Sequence, residues 1–281
     1  MDDTLLDMNR RSWNAAVLAH QSHRGDLAAF LRAGGSTLFP EELALLGDVR
    51  GKRLAHLLCN NGQDTLSLAA CGAQCVGVDI SDEAIALARQ LSAQSGISAT
   101  FARAEIYAWL AEHHDAQFDL AYASYGVICW LPDIDGWAQA LAQILAPGGR
   151  FVLIEFHPLS NMLDTQWQLK HDYPQQGKLL ELPGVGDYVG AAQGGLSPAG
   201  FERGVEAFVN PHPCYLYRWG VGEVVSALIR AGLQLELLRE YTYMNGEQPF
   251  ETMCALSERR FTAPEGVPAV PLMYGLRARR G

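Results

Sequence analysis

A carboxylate at the end of an apolar run, one strand–turn–helix unit beyond a glycine turn, can grip the sugar of a nucleotide-like cofactor. The stretch LAHLLCNNGQDTLSLAACGAQCVGVDIS, Leu54 to Ser81, has that order. An apolar run from Leu54 to Leu58 reaches a turn, a helix follows, and a second apolar run stops at Asp79. There Asp79 is placed to accept both hydrogen bonds from a ribose diol. The turn reads Cys59-Asn60-Asn61-Gly62, so Leu58 and Asn60 stand where a pyrophosphate loop would have glycines. Such loops lack side chains so that backbone amides can reach the phosphates. A ribose-bearing cofactor without phosphates does not demand that clearance.

S-adenosylmethionine fits those terms. In an open parallel sheet, ligands sit beyond the carboxyl ends of the strands, where the strand order reverses. That rule gathers residues 59–63, Asp79 and Ile80, Ala104 and Glu105, and residues 123–126 around one cleft. His157 follows the fifth strand in LIEFHP, at the cleft rim. A histidine there can take a proton at neutral pH, or it can fix the turn before Pro158. Glu155, inside the same strand, either orients a neighbour or is structural. His56 reads as a hydrogen-bonded core histidine, with a cofactor contact as the alternative. Between residues 173 and 219 lies a rich supply of aromatics, among them Tyr173, Tyr188, Tyr215 and Trp219. Aromatic faces stabilise cations, and a sulfonium is one. Tyr188, in a Gly-Asp-Tyr-Val turn, is the candidate contact; otherwise it is core. Trp130 and Trp137 are expected to pack, with Trp130 alternatively walling an acceptor pocket.

These residues need a frame to hold them. Candidate strands span 53–58, 74–78, 99–103, 118–123 and 150–156, with candidate helices at 63–71, 82–94, 105–113 and 135–145. Ser81 is a plausible N-cap for the second helix, with Asp82 and Glu83 in its first turn and Gly96 as its stop. Pro147-Gly148-Gly149 cannot continue the fourth. Such alternation predicts a parallel sheet with right-handed crossovers and helices on both faces. Residues 1–50 read as helices, with Leu5, Leu6, Trp13 and Val17 at helical spacing. Residues 157–218 break the rhythm and are too long for a plain connection, which predicts a small inserted β-rich subdomain covering the site. A helix over 223–231 and a strand over 234–243 follow. The connector FTAPEGVPAVP has no room for a crossover helix, so a last strand over 272–279 should pair antiparallel. The expected division is a helical lid at 1–50, a core of 51–156 with 219–281, and a cover at 157–218.

Composition narrows the partners. The 281 residues have a formal net charge of -10, with Lys and Arg scattered, against the clustered basic face that nucleic acid requires. Six cysteines show no zinc-ligand spacing and read as reduced thiols in a cytosolic, metal-free protein. The acidic start MDDTLLDMNRR lacks the order of a signal peptide, and no apolar run is long enough to span a membrane.

In order along the chain come LLCNNGQDTLSLA, VGVDIS, ARAEIY, FDLAYASYGVICWLPD and LAPGGRFVLIEF. Over residues 50–156 they resemble the motifs of class I S-adenosylmethionine-dependent methyltransferases. The resemblance implies an α/β fold: a Rossmann-like, doubly wound, mostly parallel seven-stranded sheet whose last strand is antiparallel. It implies that Gly62, with Cys59 beside it, lets the backbone approach the cofactor and that Asp79 binds the ribose hydroxyls. Ile80 would flank the adenine, and Glu105 or its backbone, next to Ala104, would meet the adenine amine. Ser124 and Tyr125 would lie near the methionine part, Tyr125 close to the reaction. Two departures stand out: His56 replaces the usual acid of the first strand, and L-C-N-N-G replaces the usual G-x-G-x-G. Asn60 and Gln63 are then expected to supply side-chain contacts. The segment RRSWNAAVLAHQSH resembles a lid helix of some members, in which Trp13, Asn14, His20 or His23 would close over the cofactor.

The implied reaction is methyl transfer to a small-molecule acceptor in an enclosed cleft. The protein would supply alignment and dryness, with a base only where the acceptor loses a proton, and Tyr125, His157 and Tyr188 are the candidates. A different chemistry also suits a closed site with many aromatics. Resemblance to azetidine-2-carboxylate synthases would make S-adenosylmethionine the sole substrate, its amine attacking its own Cγ and releasing methylthioadenosine. Two further readings, an NAD-dependent oxidoreductase and a non-catalytic cofactor-binding regulator, fit the missing glycines and the elaborate insertion less well.

Overall fold

The computed structural model describes residues 3–257 and 259–281. The chain begins with three helices, α1 (Asp3–Ser22), α2 (Leu27–Arg32) and α3 (Pro40–Leu46). Strands and helices then alternate: β1 (Arg53–Leu57), α4 (Gln63–Ala70), β2 (Gln74–Asp79), α5 (Asp82–Ser95) and β3 (Thr100–Arg103). After them come α6 (Ile106–Glu112), β4 (Phe118–Ser124), α7 (Ile134–Ile144) and β5 (Leu145–Phe156). The insertion holds β6 (Lys178–Leu182), α8 (Tyr188–Ala192) and β7 (Cys214–Arg218). The chain closes with α9 (Val221–Arg230), β8 (Leu233–Tyr241), β9 (Tyr243–Asn245), β10 (Cys254–Ser257), β11 (Arg260–Thr262) and β12 (Met273–Arg280).

Seven strands form one sheet in the order β3-β2-β1-β4-β5-β12-β8. β3, β2, β1, β4 and β5 pair in parallel, and β12 runs antiparallel to both β5 and β8. This is the expected Rossmann-like sheet, and the order reverses between β1 and β4, where a crevice opens. The strand period of two sends Ala121 and Ala123 into the layer packed with Trp137, Leu141 and Phe151. Leu120 and Tyr122 enter the opposite layer with Leu45, Leu46 and Val152. α3 is thus packed on the sheet, whereas α1 lies over the crevice.

The local signals act where they stand. Ser81 caps α5 by accepting a hydrogen bond from the Ala84 amide at 3.1 Å, and Gly96 ends it in a left-handed conformation (φ 72°). β5 begins earlier than the sequence implies. It passes through Pro147-Gly148-Gly149 as an irregularity in its register with β4, with Gly148 at φ 76°.

Two regions differ from expectation. The strand anticipated at 234–243 leaves the main sheet after Tyr241, and β9 pairs instead with β11 in a three-stranded antiparallel sheet with β10. No turn residue marks the departure. The insertion has one two-stranded ribbon, β6–β7, and its Gly-Asp-Tyr-Val segment opens α8, with Asp187 accepting from the Gly190 amide at 3.0 Å. Polar side chains tie α1 to this insertion. Asn9 exchanges two hydrogen bonds with the Tyr215 backbone (3.0 and 2.7 Å), and Ser12 bonds the His212 carbonyl (3.0 Å) and the Val185 amide (2.9 Å).

Candidate functional site

The turn after β1 is wound like a glycine loop without being one. Leu58 (φ 53°), Asn60 (φ 49°) and Gly62 (φ 72°) are all left-handed, a conformation that costs an L-residue roughly 1–2 kcal/mol. Gly62 itself is not among the residues that line the cavity. A Cβ there would meet Phe101 at 2.6 Å and Ala88 at 2.7 Å, so its bareness serves packing against α5 and β3. The cavity is instead lined by Leu58, Cys59, Asn60, Asn61, Gln63 and Asp64.

Asp79 ends β2 and holds this turn. Its Oδ2 accepts from the Asn60 amide at 2.8 Å and its Oδ1 from the Ser81 amide at 2.9 Å. Burial pushes the carboxyl above its ordinary value, opposed by those amides. A carboxylate has about four lone-pair sites, so two amides leave acceptor capacity toward the cavity that Asp79 lines. Ile80, Ala104 and Glu105 line it alongside. Glu105 also caps α6 through the Ala108 amide (2.8 Å).

Over this cradle three aromatics from distant segments meet. Trp13 lies edge-on to Trp130 (5.4 Å between ring centres) and to Tyr188 (6.4 Å), and all three line the cavity. The neighbours of Trp13 anchor the helix. His20 packs on Tyr188 at 4.1 Å, its Nε2 is 2.9 Å from the Gly186 carbonyl, and burial lowers its pKa to about 4. His23 accepts at Nδ1 from the Gly204 amide and presents Nε2 to Asp187 at 2.7 Å. Asn14 is engaged with Asp82 (3.0 Å) and Ser81 (2.7 Å), fastening α1 to α5 outside the lining.

One wall is polar. Glu42, 1% exposed, accepts from the Phe39 amide at 2.6 Å and from the Tyr122 hydroxyl, and burial raises its pKa to about 8. Tyr125 is left-handed (φ 47°) and its hydroxyl accepts from Asn245 at 2.9 Å, while Asn245 also reaches Glu41. Ser124 lines the cavity beside it. Glu155 braces this turn by accepting from the Gly126, Val127 (2.8 Å) and Ile128 (3.0 Å) amides.

His157 needs correcting as a candidate base. The Leu159 amide donates to its Nδ1 (3.1 Å) and its Nε2 faces Glu240 (3.0 Å), so the ring fixes the turn and is not part of the cavity lining. His56 bonds Thr65 at 2.8 Å, and burial lowers its pKa to about 3, which keeps it neutral. Trp137 is fully buried against Phe151, away from the site. The cavity, about 350 Å³, also takes in residues that sequence reasoning passed over: Arg24, Glu42, Asp64, Asn245, Glu247 and Arg259. Arg24 follows the lid segment, and Glu247 sits in an Asn-Gly-Glu turn that resembles any surface turn. The buried Arg24 Nε and Nη1 and Gln63 Oε1 have no hydrogen-bond partner among the described residues.

Comparisons with known proteins bear on the fold and the family. A family profile described as a methyltransferase domain matches residues 55–149. An uncharacterized methyltransferase of Synechocystis sp. is 30% identical over 175 residues, covering 56% of this chain and 77% of that protein. A ubiquinone biosynthesis O-methyltransferase of Bordetella pertussis is 28% identical over 171 residues, 57% of this chain and 68% of its own. Among solved structures, an S-adenosylmethionine-dependent methyltransferase from Mesorhizobium loti superposes with a TM-score of 0.56 at 23% identity, over 88% of this chain and 99% of that one. The glycopeptide N-methyltransferase MtfA complexed with S-adenosylmethionine superposes with a TM-score of 0.52 at 15% identity, over 88% and 87%. At those identities the structures show a shared fold.

Proposed function

We propose that this chain, which belongs to the S-adenosylmethionine-dependent methyltransferase family, methylates a small molecule enclosed between the sheet crevice and the roof formed by α1 and the insertion. The enzyme uses S-adenosylmethionine, which supplies an electrophilic methyl group when bound. The observation that carries the site assignment is the set of uncommitted polar groups in one cavity. Asp79 has acceptor capacity left for a ribose diol, Gln63 Oε1 can accept from an ammonium, and Arg24 can donate to a carboxylate. A ribose and an amino-acid zwitterion on one ligand is the chemistry of S-adenosylmethionine. In this reading Ile80, Ala104 and Glu105 bound the adenine. Trp13, Trp130 and Tyr188 exclude water and present aromatic faces to the sulfonium.

The chain's own groups align the reactants. Glu155 fixes the turn that carries Tyr125, and the Tyr125 hydroxyl is oriented by Asn245. Among the described residues no helix is long and apolar enough to cross a membrane. The enclosed cavity favours a small acceptor over a macromolecule, which would need an open groove.

The test is calorimetry with S-adenosylmethionine followed by product identification in cell extract. S-adenosylhomocysteine formed only when extract is added is the expected result. Methylthioadenosine formed from the protein and cofactor alone would overturn methyl transfer in favour of intramolecular cyclisation. Wild-type affinity in Arg24→Ala would overturn the assignment of the methionine end.

A further inference from the structure

Five carboxyl groups line the cavity, and four of them already accept at least one hydrogen bond from the protein. Asp79 accepts two backbone amides, Glu42 an amide and a phenol, Asp64 the Thr37 hydroxyl, and Glu105 the amide of its own helix cap. Glu247 alone accepts no hydrogen bond from any described residue. Its place is nonetheless fixed. The Gly246 amide donates to the Arg259 carbonyl at 2.7 Å, and the Glu247 amide donates to the Asn245 carbonyl at 2.9 Å. Gly246 is left-handed (φ 77°), and a Cβ there would strike Leu196 at 2.4 Å. The pairing of β9 with β11 therefore holds this carboxyl at the cavity.

Resting on the reading of the cavity as an S-adenosylmethionine site, we propose that Glu247 takes the proton that the acceptor loses, and that the acceptor is methylated at an ionisable O–H or N–H atom. The new bond joins that O or N to the methyl carbon, the C–S electron pair returns to sulfur, and the proton passes to the Glu247 carboxylate. Every charge is accounted for: a sulfonium and a carboxylate become a thioether and a carboxylic acid.

The surroundings suit the task. Burial, with the Glu155 charge on β5 as the second cause, raises the Glu247 pKa to about 7, a value matched to proton transfer at neutral pH. Tyr188 on α8 and Cys129 after β4 are within electrostatic reach of it, and both remain neutral there because burial raises their pKa values. Tyr188 also feels Asp79, and Tyr188, Asp79 and Glu247 all line the one cavity. On its outer side Glu247 borders a second pocket with Arg218, Lys170, His171 and Asp164, and Arg259 shares the inner cavity. The net direction at Glu247 is upward.

A group half-protonated near neutrality beside a ligand cation must shed its proton when that cation arrives. Calorimetry at pH 7 in buffers of different ionisation enthalpy counts the protons released by S-adenosylmethionine and by S-adenosylhomocysteine. The two share every group except the sulfonium. Roughly half a proton more should leave with the sulfonium ligand, because a group of pKa about 7 is half-ionised there. Glu247→Gln should abolish the difference while keeping S-adenosylhomocysteine affinity, and Glu247→Asp should retain it. Equal proton counts in the wild type, or a difference that survives Glu247→Gln, would overturn the proposal. Failure of the wild type to bind either ligand would instead refute the cofactor site itself.

Discussion

Trp137 on α7 has no exposed surface and packs edge-on to Phe151 at 5.4 Å, inside a layer of aliphatic side chains. Trp13 on α1 keeps part of its surface and meets Trp130 and Tyr188 across the cavity. The difference extends to the regions around them. The floor is a mostly parallel sheet with apolar layers on both faces. The roof is α1 laid on an insertion across one small apolar cluster of Ala16, Val185 and Cys214 and fastened by individual polar groups, among them Asn9, Ser12, His20 and His23. Apolar layers fail together, whereas polar ties can be released singly. A floor that stays folded while the roof opens is what an enclosed site needs in order to exchange its ligands.

The contrast is broken most forcefully from below. Trp137→Ala should cost about 3–5 kcal/mol of global stability, as a large cavity in a layer that cannot collapse. Chemical denaturation should show one transition moving as a whole, and an unmoved midpoint would count against the cooperative floor.

Acid should act on the roof. The His20 pKa is lowered from 6.5 to about 4, so its neutral form is favoured in the closed state. Its stabilisation is complete above pH 6.5, falls as the pH drops toward 4, and is then exhausted; the scale is about 3 kcal/mol. Hydrogen exchange in α1 and α8 should quicken over that range before the sheet amides respond, and His20→Gln should flatten the response. Simultaneous loosening of floor and roof would erase the distinction drawn here.

At the boundary between them, Asp79→Ala should weaken S-adenosylmethionine binding by about 1.5–3 kcal/mol, the scale of a hydrogen bond to a charged group. Unchanged affinity in calorimetry would remove Asp79 from the site. The smallest effect belongs to Asn60→Gly. The backbone is already left-handed there, so stability should move by less than about 1 kcal/mol. A tenfold loss of cofactor affinity would show that the Asn60 side chain is itself a contact.

How far these regions could be read in the sequence follows the same divide. β1 to β5 and the helices between them follow from apolar periodicity and end signals such as Ser81 and Gly96, which act within a few residues. Asp79 was legible because it stands at a strand end. The roof depends on pairs such as Asn9 and Tyr215, 206 positions apart, and no local pattern announces them. Trp13, Trp130 and Tyr188 could each be suspected, but not their convergence. β9 escaped notice because it follows β8 after a single residue with no Gly or Pro to mark the break, and with it went Glu247. His157 misled for the opposite reason: its position after β5 suits a base, yet both ring nitrogens are occupied.

Because the carboxylate of Asp79 braces the left-handed Asn60 as well as facing the cavity, the sugar recognition proposed for it would draw on the same oxygens as loop shape. A ligand that recruits those oxygens competes with the strut beneath it, so occupancy should be felt first in the Asn60 amide. That nitrogen is a built-in reporter, and a single resonance could register the arrival of the nucleoside before any product forms.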